Sequence, residues 1–436
     1  MIRKSALLSL SALALALPGQ SETLQEALNL AFQTNPALAA QRADVGVARE
    51  QLEQARGARR PTVDLSGSAG YESLDSNQPI AFGLGDRPVA SAQLQASLPV
   101  YTSGRINAGI AQAKAGIQAA DAQFDGAGQD LILNVVTAYV DVLRDREAML
   151  IRANSVALLE EQLRAASDRF EVGFATRTDV KQAEARVEGA RASLAGAEAQ
   201  LAASLSIYEL FVGQAAGELA PVSDAPDRPD TFEAALETAL AENPDLKASR
   251  QAERAAEQAV RAAQGETGPS VSIVGTASVQ ETFDIEASAI SPTMGVITLP
   301  PDNYRDTQLR LLAQGTIPLY QGGVKRSRIR AARLQRDQAR LQTVNAERQV
   351  TAGIAQAWYA NIAAEQAILA SERQVEAAEI AYEGAQEELS VGTRTTLDVL
   401  DQEQQLLEAR LGLVNARRDA FVAAHQLLRA MGKLSI

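Results

Sequence analysis

Thr23-Leu24-Gln25-Glu26-Ala27-Leu28, followed by Asn35-Pro36, returns as Thr231-Phe232-Glu233-Ala234-Ala235-Leu236, followed by Asn243-Pro244, at an offset of 208 positions (231 minus 23). From Leu94 onward the offset is 219 (318 minus 99): Pro99-Val100-Tyr101 meets Pro318-Leu319-Tyr320, Tyr139 meets Trp358, and Val172-Gly173 meets Val391-Gly392. A chain duplicated in this way is expected to build two similar units that pack beside each other. The eleven extra residues (219 minus 208) fall in the stretch matching Tyr71 to Leu94, where a loop is expected to absorb them.

Each copy contains two segments of strict two-residue alternation. Val63, Leu65, Gly67, Ala69 and Tyr71 oppose Asp64, Ser66 and Ser68, while Ala90, Ala92, Leu94, Ala96 and Leu98 oppose Ser91, Gln93, Gln95 and Ser97. In the second copy Val271, Ile273, Gly275, Ala277 and Val279 alternate with Ser272, Val274, Thr276 and Ser278. Leu309, Leu311, Ala313, Gly315 and Ile317 alternate with Gln308, Arg310, Gln314 and Thr316. Each segment runs about 10 residues, the length at which a tilted strand crosses a bilayer with one apolar and one wet face. A half-buried hairpin of a soluble protein gives the same alternation. Uniform length, export and the helical remainder point to a membrane barrel.

Export is read from the N-terminus. Arg3 and Lys4 precede an apolar run from Ala6 to Leu17, which reads as a secretory leader over residues 1–21, cleaved after Ala16 or Ser21. The chain has no cysteine, which excludes both a disulfide framework and a lipid anchor built on cysteine. Its formal net charge of −13 becomes −15 without Arg3 and Lys4. That balance argues against nucleic acid or anionic lipid as a partner and favours cationic solutes. After the leader no stretch approaches the roughly 20 apolar residues of a spanning helix.

The remainder is helix of unusual length. Ile106, Ile110, Ala113, Ile117, Ala120, Phe124, Ala127 and Leu131 step by fours and threes, a coiled-coil seam that continues without proline towards Glu171. A helix over 103–171 would be roughly 100 Å long. After Val172-Gly173 the heptad resumes at Val180, Ala183, Val187, Ala190, Leu194, Ala197 and Leu201. In the second copy two adjacent stripes run side by side: Val399, Leu406, Leu413, Ala420, Leu427 and Leu400, Leu407, Val414, Phe421, Leu428. Paired stripes suit a stave with a neighbour on each side.

These patterns divide the chain. The first repeat spans 22–213, with strands about 62–74 and 89–100 and helices about 38–59, 103–171 and 178–212; a Pro-rich linker with Pro221, Pro226 and Pro229 spans 214–230. The second repeat spans 231–436, with strands about 270–283 and 307–318 and helices about 246–267, 323–390 and 397–431. The helix after each tip is about half as long as the one before it, so the segment Leu38 to Arg59 is expected to stack on its end. Four strands per chain cannot close a barrel, which takes about eight at the least, and open edges are forbidden in lipid. The chain is therefore expected to oligomerise.

Leu389-Ser390-Val391-Gly392-Thr393-Arg394-Thr395-Thr396-Leu397-Asp398-Val399-Leu400-Asp401 resembles the periplasmic tip of TolC-type outer membrane efflux channels. Phe170-Glu171-Val172-Gly173 with Thr178-Asp179-Val180 resembles the other tip, and Pro99-Val100-Tyr101-Thr102-Ser103-Gly104 the strand-to-helix junction. The resemblance covers essentially the whole mature chain. It implies a mainly α fold with a membrane β-barrel: a homotrimer in the cell outer membrane, with a 12-stranded barrel continued by an α-helical tunnel across the periplasm. It further implies a passive exit duct for efflux or type I protein secretion, opened by a periplasmic adaptor and an inner membrane pump of the ABC or RND type. A periplasmic coiled-coil adaptor without its own pore is the alternative; it would not need four amphipathic strands.

No constellation for catalysis stands out, and no cofactor or metal is expected. His425 is the only histidine and sits on the seam between Leu411 and Leu428, which places it at an interface rather than in a triad or metal site. Gly322-Gly323-Val324-Lys325-Arg326 lacks the spacing of a nucleotide loop and reads as a strand-to-helix turn.

Asp398, Asp401 and Asp179 lie in the opening turns of helices, where the macrodipole and free amides stabilise carboxylates. For Asp398 and Asp401 the resemblance implies more: two lumen-facing rings at the closed entrance that attract cations and raise one another's pKa. It also implies that Arg394, opposite Ala175 in the first copy, holds the tip shut on the neighbouring hairpin at Thr178 and Asp179. A tyrosine that shares this lock in the family falls on Leu389, which cannot donate a hydrogen bond. The turns Val172-Gly173 and Val391-Gly392 would receive the adaptor.

Overall fold

The structure, a computed structural model, describes residues 21–74, 85–222, 225–226, 228–291 and 295–435. The expected leader falls outside them except for Ser21.

Each repeat opens with a short helix that its own sequence caps. In α1, Leu24–Thr34, the Thr23 hydroxyl accepts from the Glu26 amide while Glu26 accepts from the Thr23 amide at 2.9 Å, a reciprocal capping box. The next helix, α2, Pro36–Gly57, starts at its proline, two residues before the position expected, because Asn35 caps it. The Asn35 carboxamide oxygen accepts from Ala37 and Leu38 at 3.0 and 3.2 Å.

Two antiparallel strands follow, β1 (Thr62–Leu74) and β2 (Gly85–Tyr101), then a long helix α3 (Arg105–Glu171) and a shorter one α4 (Arg177–Val212). The second repeat repeats the order: α5 (Phe232–Glu242), α6 (Pro244–Gly265), β3 (Ser270–Ser291), β4 (Gly295–Thr316), α7 (Val324–Ser390) and α8 (Thr396–Met431). Asn243 caps α6 through Asp245 and Leu246 as Asn35 caps α2. Both asparagines also tie helix ends together: Asn35 Nδ2 donates to Phe211 O at the end of α4, and Asn243 Nδ2 to Ala430 O at the end of α8. The short helices thus meet the ends of α4 and α8.

The four strands form one antiparallel sheet in the order β1-β2-β3-β4. The register Ser66↔Gln93 and Ser68↔Ser91 puts hydroxyls and amides on one face, where the Ser68 and Ser91 hydroxyls lie 2.8 Å apart. On the other face Val63, Leu65, Tyr71, Leu309 and Leu311 stand exposed. The eleven extra residues do not form a loop. β3 and β4 run 22 residues each, against 13 and 17 for β1 and β2, so the added chain extends the ladder through irregularities at Thr282/Ile285 and Ile285/Ala287. Main-chain pairing satisfies donors and acceptors that a loop would leave to solvent.

Contacts group the chain into two units, each drawn from both repeats: residues up to Arg42, Gln123–Leu246 and Glu347–Ile436 in one, Ala43–Ala122 and Lys247–Ala346 in the other. The second holds the sheet and a small core in which Leu52 packs on Ile106 and Ile110. The first holds the main core, built on Val135, Val136, Tyr139, Tyr208 and Val212. Tyr139 shares its hydroxyl proton between the carbonyls of Glu22 and Ala220, both at 2.7 Å. Its counterpart Trp358 instead meets Phe232 edge-on at 6.2 Å and lies under the Arg228 guanidinium at 5.3 Å. As the paired stripes required, α8 buries Val399 and Leu406 together with Leu400, Val414 and Phe421. His425 is half-buried, its Nδ1 2.7 Å from Phe421 O, and burial lowers its pKa.

Candidate functional site

The candidate site is the end of the first unit where two helical hairpins turn: α3 into α4 and α7 into α8. Both turns close by the same rule. Phe174 N donates to Arg169 O at 2.8 Å and Gly173 N to Phe170 O at 3.0 Å; Thr393 N donates to Glu388 O at 2.9 Å and Gly392 N to Leu389 O at 3.1 Å. This paired termination needs a left-handed residue, and Gly173 (φ 81°) and Gly392 (φ 78°) supply it. The turns present Val172, Phe174 and Val391 to solvent at 67, 86 and 72% exposure.

The helices that leave the turns begin with identical caps. Thr176 and Asp179 form a reciprocal box with contacts of 2.8 to 3.2 Å, and Thr395 and Asp398 form another with contacts of 2.7 to 3.3 Å. Thr395 donates its hydroxyl and amide protons to Asp398 and thereby holds its carboxyl below the usual aspartate range. The amide and hydroxyl of Thr176 do the same to Asp179. Within one chain Asp398 is therefore a helix cap, and its direction of shift is opposite to the one a carboxylate ring implies.

Two of the other expected residues find partners nearby. Asp401 accepts from Arg186 on α4 at 2.7 Å, so it bridges the two hairpins. Arg394 pairs through Nε with Glu388 on its own turn. Thr178 is exposed on the first turn of α4. Leu389 is half-buried, and the nearest tyrosine along the chain stands two helical turns before it, where the Tyr382 hydroxyl accepts from Gln386 at 2.6 Å.

Above the turns each hairpin is laced by one equivalent ion pair: Arg191 to Glu160 at 2.6 Å in the first, Arg410 to Glu379 at 2.8 Å in the second. Between the hairpins lies a seam. Leu159 of α3, Val187 of α4 and Leu400 of α8 bury one another there. Farther along, Arg418 of α8 reaches Asp141 of α3 at 2.7 and 3.2 Å.

The seam also contains Glu403, a residue that the reading of motifs passed over. It is 6% exposed and accepts from Ser155 Oγ at 3.3 Å and Gln162 Nε2 at 3.2 Å, both on α3. Burial pushes its carboxyl up to about 7, against the opposing pull of those two donors and of Arg186. A signal was present: Glu403 occupies a core phase of the heptad between Val399 and Leu406, where a carboxylate does not belong unless something holds it.

Among known proteins, the family model described as outer membrane efflux protein matches residues 27–210 and 235–433. Over 416 residues the chain is 31% identical to outer membrane efflux protein BepC of Brucella suis, covering 95% of this chain and 86% of that protein. It is 30% identical over 422 residues to outer membrane protein TolC of Vibrio cholerae, covering 95% and 92%. Its fold matches the crystal structure of VceC from Vibrio cholerae with a TM-score of 0.77 at 21% identity, covering 94% of this chain and 96% of that one.

Proposed function

Because this chain belongs to the outer membrane efflux protein family, we propose that three copies of it form one gated duct, the passive exit of a tripartite efflux or type I secretion system. It is an outer membrane protein of a family of channels. The observation that carries the proposal is the sheet: four strands with an exposed apolar face and outer edges on β1 and β4. A bilayer tolerates neither four strands alone nor an open edge, whereas three sheets of four close a barrel of twelve. Exposed Leu334 and Leu341 on α7, both 69% exposed, supply apolar surface for a neighbouring copy to cover.

In this reading Asp398 and Asp401 line the narrow entrance at the helical end. Arg394 holds it closed against the neighbouring hairpin at Thr178 and Asp179, in exchange for its present partner Glu388. Val172, Gly173, Val391 and Gly392 receive a periplasmic adaptor, which couples the duct to an inner membrane pump. The exposed side chains of Val172, Phe174 and Val391 support that contact. BepC is named for efflux and AprF of Pseudomonas aeruginosa for alkaline protease secretion, so the duct reading spans both kinds of cargo. Recording the purified protein in planar bilayers tests the proposal. Discrete, cation-preferring conductance steps are expected; a heat-resistant trimer that never conducts overturns it.

A further inference from the structure

We propose that Glu403 is a proton-sensitive latch between the two hairpins, holding the entrance closed when protonated and loosening it when ionised. The inference rests on the channel reading above and assigns a positioning role to a residue outside the acidic tip.

The geometry comes first. Any widening of a ring made from a fixed number of staves lengthens its perimeter, so lateral contacts between neighbouring staves must loosen. The seam between the hairpins is one such contact, and Glu403 lies inside it with Leu159, Val187 and Leu400 beside it. Its two hydrogen bonds cross from α8 to α3 and come from neutral donors, Ser155 and Gln162. A carboxylate in that position is incompletely compensated.

The charges around it bond other groups, with one buried donor left over. On α4, Arg186 is bonded to Asp401. On α3, Arg152 donates through Nη1 to Ser193 O at 3.2 Å, while its buried Nε has no partner. On α7, Glu379 is paired with Arg410 of α8, and Tyr382 faces the cleft with its hydroxyl accepting from Gln386. Glu383 and Glu408 line the clefts on either side and add negative charge. Among the described residues no cation is hydrogen-bonded to Glu403, and Arg186 acts on it only at a distance, so burial outweighs the pull of its partners.

Protonation, by contrast, removes the buried charge and has an acceptor within reach. Gln162 carries a buried carboxamide oxygen, Oε1, without a partner. Turning that amide over offers the oxygen to a protonated Glu403 at the place its NH2 now occupies, so the neutral acid donates a bond where the anion accepts one. The carboxyl, pushed up to about 7 in the packed seam, returns towards 4.5 once the seam opens to water. A group whose pKa is higher in the packed state favours packing as pH falls and opposes it as pH rises through that value. Between pH 8 and pH 5.5 this shifts each seam towards the closed form by roughly tenfold to thirtyfold.

The test is the pH profile of purified trimers in planar bilayers, wild type against Glu403→Gln, with Glu184→Gln as control. Glu184 occupies the same phase in the first copy, but its side chain is 47% exposed and pairs with Lys181. Wild type should close on acidification with a midpoint near neutrality. Glu403→Gln should remain closed-like and lose most of the dependence between pH 6 and 8, and Glu184→Gln should keep it. Ser155→Ala removes a donor to the ionised form and should move the midpoint to higher pH. Thermal unfolding of the same proteins reads the protonation without conduction: wild type should melt higher at pH 6 than at pH 8, and Glu403→Gln should show no such difference. A Glu403→Gln channel with the wild-type profile overturns the latch. A protein that never conducts overturns the channel reading, and the melting comparison then decides whether Glu403 titrates in the seam.

Discussion

The two hairpin tips share a backbone and differ in what they place on it. Val172-Gly173 and Val391-Gly392 make the same turn, and Thr176/Asp179 and Thr395/Asp398 make the same cap. One and two turns farther on the copies part. Leu400, Asp401 and Glu403 of the second copy stand where the first has Lys181, Gln182 and Glu184. The second set enters the seam: Leu400 is 3% exposed, Asp401 bonds Arg186, and Glu403 is buried against α3. Lys181 and Glu184 pair with each other on the surface. Duplication supplied a symmetric scaffold, and substitution on one inward-facing helix surface made one hairpin hold the other.

The comparison can be broken first at Leu400. Leu400→Ala should cost about 2–5 kcal/mol of stability in denaturant unfolding by leaving a cavity in the seam. Lys181→Ala should stay within about 0.5 kcal/mol. Equal losses would mean that the two copies are packed alike.

A smaller effect tests the part the tips share. Thr176→Ala and Thr395→Ala should each cost about 1 kcal/mol, because each removes one cap of the same geometry. A clear inequality between them, measured by thermal unfolding, would show that one cap is braced by something besides its own helix.

Arg394→Ala should raise open-channel activity by about fivefold at most, the scale of an exposed ion pair. Single-channel recording checks this, and an unchanged current removes Arg394 from the closing contact. Replacing Asp398 and Asp401 with alanine should weaken cation preference in reversal potentials, whereas Asp179→Ala should leave it nearly intact.

The smallest effect is in acid. The caps hold Asp179 and Asp398 below their ordinary value of 3.8, so what they contribute is present above that value and is lost as pH falls through the lowered one. Amide exchange in the first turns of α4 and α8 should therefore quicken together only in strong acid.

Much of this architecture was legible along the chain. Helices expected over 103–171 and 323–390 run Arg105–Glu171 and Val324–Ser390, because proline-free heptads stop at glycines that demand a left-handed turn. The strands of the second hairpin were less legible. β3 and β4 extend past the alternating segments, since main-chain pairing continues whether or not side chains alternate. At the tip, Asp398 and Asp179 could be read as caps from local spacing alone. The partner of Asp401 could not, because Arg186 lies 215 positions away.

Sequence by itself determined what depends on neighbours along the chain: the duplication, helix lengths and caps, the glycine turns, and the two faces of each strand. Hydrophobic period and backbone stereochemistry act over a few residues, so they can be read in order. Only the tertiary structure decided which of two same-phase glutamates is buried. Glu184 and Glu403 have the same period and the same kind of tip, and their environments differ because another helix covers one and water covers the other. Desolvation and cross-seam hydrogen bonding arise from residues brought together in space, and they give Glu403 a chemistry its place in the heptad does not specify.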